Sequence, residues 1–271
     1  MRIQNHRAVT ARYDGNLSVV VDSHNEPELA LQILKQAAMV SPTILERPPP
    51  SVTAIDVKDD RITYNIYFST ASFASAEKAR SQIITRLWRR ARPGHHSSDA
   101  GPLFFFGEEE LLDRLSLFEP LSAEEKMQLR AKVVRRHFEA GEQLSMQGVK
   151  AESVQFVFYG VIEVTHWAQN AREVKLGRLG PGDSFGKISL LTGMAADATF
   201  TALSSGLLLG LRSADLKPIL ESRPELVESL SHVVAGQQHL LDLLGEAAIQ
   251  PVEAEQTDLL SRIRNFFHLN A

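Results

Sequence analysis

The stretch Leu179-Gly180-Pro181-Gly182-Asp183-Ser184-Phe185-Gly186-Lys187-Ile188-Ser189-Leu190-Leu191-Thr192-Gly193 decides how this 271-residue chain is read. Glycine, proline and aspartate make its first half a tight turn, and the apolar run after Gly186 leads into a short helix. The stretch lies inside a longer pattern. Between Val133 and Leu211, strand-like runs alternate with turns at Gly141, Gly148, Gly160, Gly177, Gly180, Gly182 and Gly186. Short strands at roughly 8–12-residue spacing predict a β-barrel, roll or sandwich. A short acidic helix (Glu108 to Leu115) precedes it. A helical region follows from Ser213, continuing past Pro224 through Leu226, Leu230, Val233, Val234, Leu240, Leu241 and Leu244. The tail from Gln256 to Leu269 is amphipathic, with Leu259, Leu260, Ile263, Phe266 and Phe267 on one face.

This arrangement resembles the cyclic nucleotide-binding domain family, and the quoted stretch resembles its phosphate-binding cassette. Phe138-Glu139-Ala140-Gly141-Glu142, Gln147-Gly148 and Tyr159-Gly160-Val161-Ile162-Glu163-Val164 match the family's earlier strands and turns. The resemblance runs from about Asp113 to Glu246. It implies a β-roll flanked by helices, with Phe185, Gly186, Lys187, Ile188, Ser189, Ala196, Asp197 and Ala198 at the ligand site, and cAMP or cGMP as the ligand. In such a cassette a glycine turn aims backbone N–H groups and a helix dipole at one phosphate.

Two positions depart from the family pattern. Binders carry a Glu two places after the Phe, to accept the ribose 2′-hydroxyl; here Lys187 stands there. An ammonium has only donors. Binders also carry an Arg for the phosphate in a Pro-Arg-Ser/Thr-Ala string; here Ala195-Ala196-Asp197-Ala198 places Ala196 there. Losing that contact forfeits about 1.5–3 kcal/mol, and Asp197 adds an anion beside the expected phosphate. Ordinary cyclic-nucleotide binding is therefore expected to be impaired. Three readings stay open: a vestigial cassette in a packing and assembly domain, Lys187 supplying the phosphate charge in place of Arg, or Lys187 paired with Asp197.

The first hundred residues have another texture. A strand over Leu17 to Val21 meets turn and cap residues Asp22-Ser23-His24-Asn25, then a helix begins at Pro27 and ends before Ser41-Pro42. Strands Val52 to Val57 and Ile62 to Phe68 are joined by Lys58-Asp59-Asp60-Arg61. A second helix, Ala74 to Arg92, is expected to bury Ile83, Ile84, Leu87 and Trp88 and expose Arg86, Arg89 and Arg90. The β-α-β-β-α order gives a small α/β sandwich with helices on one face of a sheet. These elements, with Ser41-Pro42-Thr43-Ile44-Leu45 and Pro49-Pro50-Ser51-Val52, resemble the C-terminal cytoplasmic domain of small-conductance mechanosensitive channels. That family implies a ring-shaped vestibule below a pore, and some bacterial members end in a cyclic nucleotide-binding domain. The chain departs from it in having no pore helix, and in Arg92-Pro93-Gly94-His95-His96 where an apolar strand is expected.

Composition restricts the function classes. Lys+Arg total 29 against 33 Asp+Glu, a net charge of −4. A general nucleic-acid binder needs a basic surface. Residues 1–100 carry net +3 and the remainder net −7, which suggests two modules. There is no cysteine, so disulfides, thiolate catalysis and Cys-ligated zinc are excluded. No apolar run reaches the roughly 18–20 residues of a bilayer span. His95-His96 and His232/His239 read as a linker pair and a solvated helix face rather than metal ligands, with no carboxylate cluster to join them. Asp22-Ser23-His24 are too close in sequence to converge as a triad. A catabolite-activator-type DNA-binding unit needs more chain than the 25 residues after Glu246.

The expected fold class is α+β: residues 1–93 the channel-like domain, 94–107 a linker with an aromatic anchor at Leu103-Phe104-Phe105-Phe106 that docks onto one neighbour, 108–248 the roll, and 249–271 a tail with an amphipathic helix that packs on the roll, closes over the pocket or mediates oligomerisation. The expected function is that of a cytoplasmic regulatory region of a bacterial channel, at the cytoplasmic face of the inner membrane. It would be a homo-oligomer and not an enzyme, requiring no cofactor or metal, and would meet the membrane only through upstream segments. The alternative is a free-standing cytoplasmic sensor of cyclic nucleotides or other anions, without a DNA-binding domain.

Overall fold

The computed structural model describes residues 12–91, 103, 105–168, 172–232 and 255–267. The chain divides into two compact units, one of residues up to Phe106 with Tyr159–Val161 and Gly180–Gly182, the other of Gly107–Phe158, Ile162–Leu179 and the residues from Asp183 on. In the first, β1 (Tyr13–Asp22), β2 (Ser51–Lys58) and β3 (Arg61–Thr70) form an antiparallel sheet in the order β1-β3-β2. Helices α1 (Pro27–Met39) and α2 (Phe73–Arg90) follow β1 and β3. The β2–β3 hairpin turns on Asp59 and Asp60, both at positive φ (49° and 57°), a conformation short acidic side chains tolerate. Register places Val19 opposite Tyr64 and Leu17 opposite Ile66. The core collects these with Ile33 and Leu34 of α1 and Ala76, Ala79, Ile83 and Leu87 of α2.

Two sequence expectations for this unit need correction. The α1 cap is Glu26, with no side-chain cap bond, because Asp22 instead accepts from the His24 amide at 2.9 Å. On α2 the buried stripe is Ala76, Ala79, Ile83, Leu87 and Arg90, whereas Ile84 and Trp88 face outward, 41% and 50% exposed. Positions 83, 87 and 90 recur at helical period, and 84 and 88 fall off that stripe. Arg90 is accommodated inside by donating to the Phe106 carbonyl and stacking over the Phe106 ring, 4.1 Å from its centroid. The anchor docks onto this unit through Leu103, Phe105 and Phe106. Leu103 lies parallel to Val21, donating to the Val20 carbonyl at 2.8 Å and accepting from the Asp22 amide at 2.9 Å, and Phe105 bridges Ala91. His95 and His96 lie outside the described residues.

In the second unit two short 3₁₀ turns, Glu108–Glu110 and Ser116–Phe118, flank α3 (Leu111–Arg114), and α4 (Ala123–Arg130) follows. The roll comprises β4 (Val134–Phe138), β5 (Gln143–Ser145), β6 (Ser153–Tyr159), β7 (Ile162–Trp167), β8 (Glu173–Leu179), β9 (Ser184–Phe185), β10 (Thr199–Ala202) and β11 (Gly206–Arg212). They form two four-stranded sheets, β5-β10-β7-β8 and β4-β11-β6-β9. Phe138, Val157, Ile162, Phe200 and Leu208 fill the interior. Between β9 and β10 lies α5 (Lys187–Thr192). After β11 come α6 (Ser213–Ser222), a helical segment α7 (226–232) and α8 (Glu255–Phe267). Helical continuation through Val233, Val234 and Leu240 to Leu244, and His239, lie outside the described residues. No helix among them is long and apolar enough to cross a membrane. The architecture is α+β, an antiparallel α/β layer followed by a roll flanked by helices.

Candidate functional site

The quoted stretch folds as β8, a turn, β9 and α5. Gly182 (φ 90°) and Gly186 (φ 82°) take left-handed conformations that glycine enters without strain. Gly186 is further constrained by space, since a Cβ there would sit 2.5 Å from the Ser153 carbonyl oxygen. Its own carbonyl accepts from the Leu190 amide at 2.8 Å, starting α5. Gly193 (φ 64°) ends the helix, donating to the Ser189 carbonyl at 2.9 Å. Thr192 Oγ1 donates to the Ile188 carbonyl at 2.7 Å and accepts from the Met194 amide at 3.2 Å. A six-residue helix is thus closed at its C-terminal end by a left-handed residue and a hydroxyl.

The eight sequence-predicted residues divide by burial. Phe185, Ser189 and Ala198 are interior. Phe185 stacks on Phe200 at 4.3 Å and 17° between ring planes, so its work is holding the two sheets together. Gly186, Lys187, Ile188 and Ala196 are half-buried, and Asp197 is exposed. Ala196 is tied through its backbone, its amide donating to the Val149 carbonyl at 3.0 Å and its carbonyl accepting from Gly148 at 2.8 Å. The Asp197 carbonyl accepts from His166 Nδ1 at 2.7 Å.

Burial pushes the Lys187 ammonium below the usual lysine range, and the charge of Asp183 opposes that shift. Asp183 is thus an acid whose charge bears on Lys187, while the sequence offered Asp197 as its partner. Its signal, the Pro181-Gly182-Asp183 turn, was present in the sequence. Sequence reasoning offered packing on the roll as one role of the tail Leu259 to Phe267, beside closing over the pocket or mediating oligomerisation, but missed the Ser153 carbonyl under Gly186 and the seat of Phe266 on Gly193. Both come from distant parts of the chain and leave no local pattern. Among the described residues no cluster of His, Asp or Glu has the makings of a metal site.

Residues 135–223 match the family described as cyclic nucleotide-binding domain, and residues 16–92 match that described as mechanosensitive ion channel MscS, C-terminal. A Rhodopseudomonas palustris protein named as a potassium channel protein is 27% identical over 150 residues, 53% of this chain and 36% of that protein. The cAMP-dependent protein kinase type II regulatory subunit of Drosophila melanogaster is 32% identical over 84 residues, 31% of this chain and 22% of that protein. Among solved structures, the N-terminal domain of a transcriptional regulator from Streptomyces coelicolor A3(2) is 29% identical with a TM-score of 0.41, covering 52% of this chain and 99% of that one. This chain spans little more than a third, or less, of the length of the two relatives named. The chain thus carries two family matches in series, to the MscS C-terminal description over residues 16–92 and to the cyclic nucleotide-binding domain description over residues 135–223.

Proposed function

We propose that this chain is the cytoplasmic regulatory region of an MscS-like bacterial ion channel, with the roll as its sensor or assembly module. The observation that carries this reading is the order of the two matched domains in one chain. The likeness to a protein named as a potassium channel supports it. The pore is assigned to segments outside the described residues. Several apolar spans in frame upstream of Met1 in the coding sequence are expected; their absence overturns the channel reading. The role includes no catalytic step and no nucleic-acid partner.

Ordinary binding of cAMP or cGMP is impaired in this reading. The glycine geometry that shapes the cassette is kept, while Lys187 and Ala196 stand where an acceptor and a cation are needed. A ligand controls such a region only through different affinity for the two states of the assembly. Isothermal titration with cAMP and cGMP is expected to give no micromolar binding, and a micromolar isotherm overturns the impairment. Lys187→Glu combined with Ala196→Arg should raise affinity for cAMP roughly tenfold or more. No gain in a folded double variant refutes the assignment of these two positions.

A further inference from the structure

Helix α8 lies on the far end of the cassette helix. It packs on α5 and α6, with Ile263 and Phe267 fully buried and Phe266 half-buried. Phe266 and Phe267 meet edge to face at 5.0 Å. Arg262 donates to the Met194 sulfur at 3.2 Å. The seat of Phe266 is Gly193, the residue that ends α5. A Cβ on Gly193 would lie 2.6 Å from Phe266 Cδ2, a distance real carbon contacts essentially never reach. Ser261, Arg262, Arg264 and Asn265 face outward, so along 261–267 the buried seam is narrow.

We propose that α8 is a releasable strap on the phosphate-cassette helix, seated through the missing side chain of Gly193. The strap fixes the C-terminal end of a helix whose first residues are Gly186 and Lys187, its N-cap and first turn. Over a helix this short, holding one end sets where the other points. A narrow seam of this kind opens below the cost of global unfolding, so α8 is released while the roll remains folded. The device stands whether or not a nucleotide binds, because it rests on packing alone.

Hydrogen–deuterium exchange on the full chain tests it. Asparagine tolerates the left-handed conformation, so Gly193→Asn chiefly adds the atom that meets Phe266. Exchange across 261–267 and 188–193 should accelerate roughly tenfold or more, with β6 and β11 exchanging as in the parent. Phe266→Ala should give the same pattern, and adding Gly193→Asn to it should change little further, since the ring is already gone. Parent-like protection of 261–267 in Gly193→Asn overturns the seat. Loss of protection in β6 and β11 along with α8 overturns the strap, because α8 would then be an integral part of the roll's core.

Discussion

Lys187 is held by two opposed effects. Half-burial beside the roll disfavours its ammonium, and Asp183 favours it; burial is the larger, so the folded value falls below the unfolded one. Between those two values the unfolded chain binds more protons, and stability rises as pH climbs through that window. Lys187→Met removes the buried charge. Its melting temperature at pH 7 should exceed the parent's by on the order of 1–2 °C, discounted for partial exposure. The gain should shrink toward the ordinary lysine pKa of about 10.4. Thermal melts at pH 7 and pH 10 measure this, and a variant less stable than the parent at pH 7 contradicts it. Both residues were visible in the sequence, but not that the one acts on the other. Asp183 acts on Lys187 because a turn and β9 fold back between them, which residue types alone do not convey.

At the scale of elements, α4 shows how local and distant signals combine. Ser122 Oγ accepts from the Glu125 amide at 3.2 Å, and the Glu125 carboxylate accepts from the Ser122 amide at 2.7 Å, a reciprocal cap. Arg223, where α6 ends, donates to both oxygens of the same carboxylate at 3.1 and 2.9 Å. Burial alone would raise the Glu125 carboxyl; the Ser122 amide and Arg223 outweigh it and hold the group below its usual range. A depressed acid contributes stability above its unfolded value and loses it as pH falls through the folded one. Glu125→Gln should therefore cost about 1 kcal/mol at pH 7. That deficit should begin to close only in acid below the ordinary glutamate pKa of about 4.3, as the parent's own depressed carboxyl becomes protonated. Denaturant titrations at the two pH values measure the difference, and a deficit that persists in acid excludes the ionic part. The Ser-x-x-Glu spacing lies open in the sequence, whereas Arg223 reaches the cap only because α6 packs against α4.

For the whole molecule, each unit has its own buried cluster, and each is matched by a different family. The vestibule resemblance carries an expectation of ring assembly, so mass measurement of the folded chain in solution should find a homo-oligomer. A heptamer would place assembly in the first unit, a dimer would place it in the roll, and a monomer at working concentration would count against both. The two-unit division was legible as a change from alternating helices and strands to strands punctuated by glycine. Its boundary was less so. Leu103 and Phe105 read as an anchor docking onto one neighbour, and backbone pairing with Val20, Asp22 and Ala91 decides that the neighbour is the first unit.

The sequence by itself determined the strand and helix order of the first unit, the glycine-punctuated strands of the second with helices on either side, the hairpin at Asp59-Asp60 and the presence of Lys187 and Ala196 in the cassette. Each is written in spacing, turn chemistry or side-chain charge within a few residues. Tertiary structure alone decided which face of α2 is buried near its end, where Arg90 rather than Trp88 turns inward. It also decided which acid bears on Lys187, and what rests on Gly193. Those outcomes depend on surfaces brought together from positions up to 73 residues apart, as Phe266 is from Gly193. Packing selects them by volume and by desolvation, and neither quantity is defined until the chain has folded.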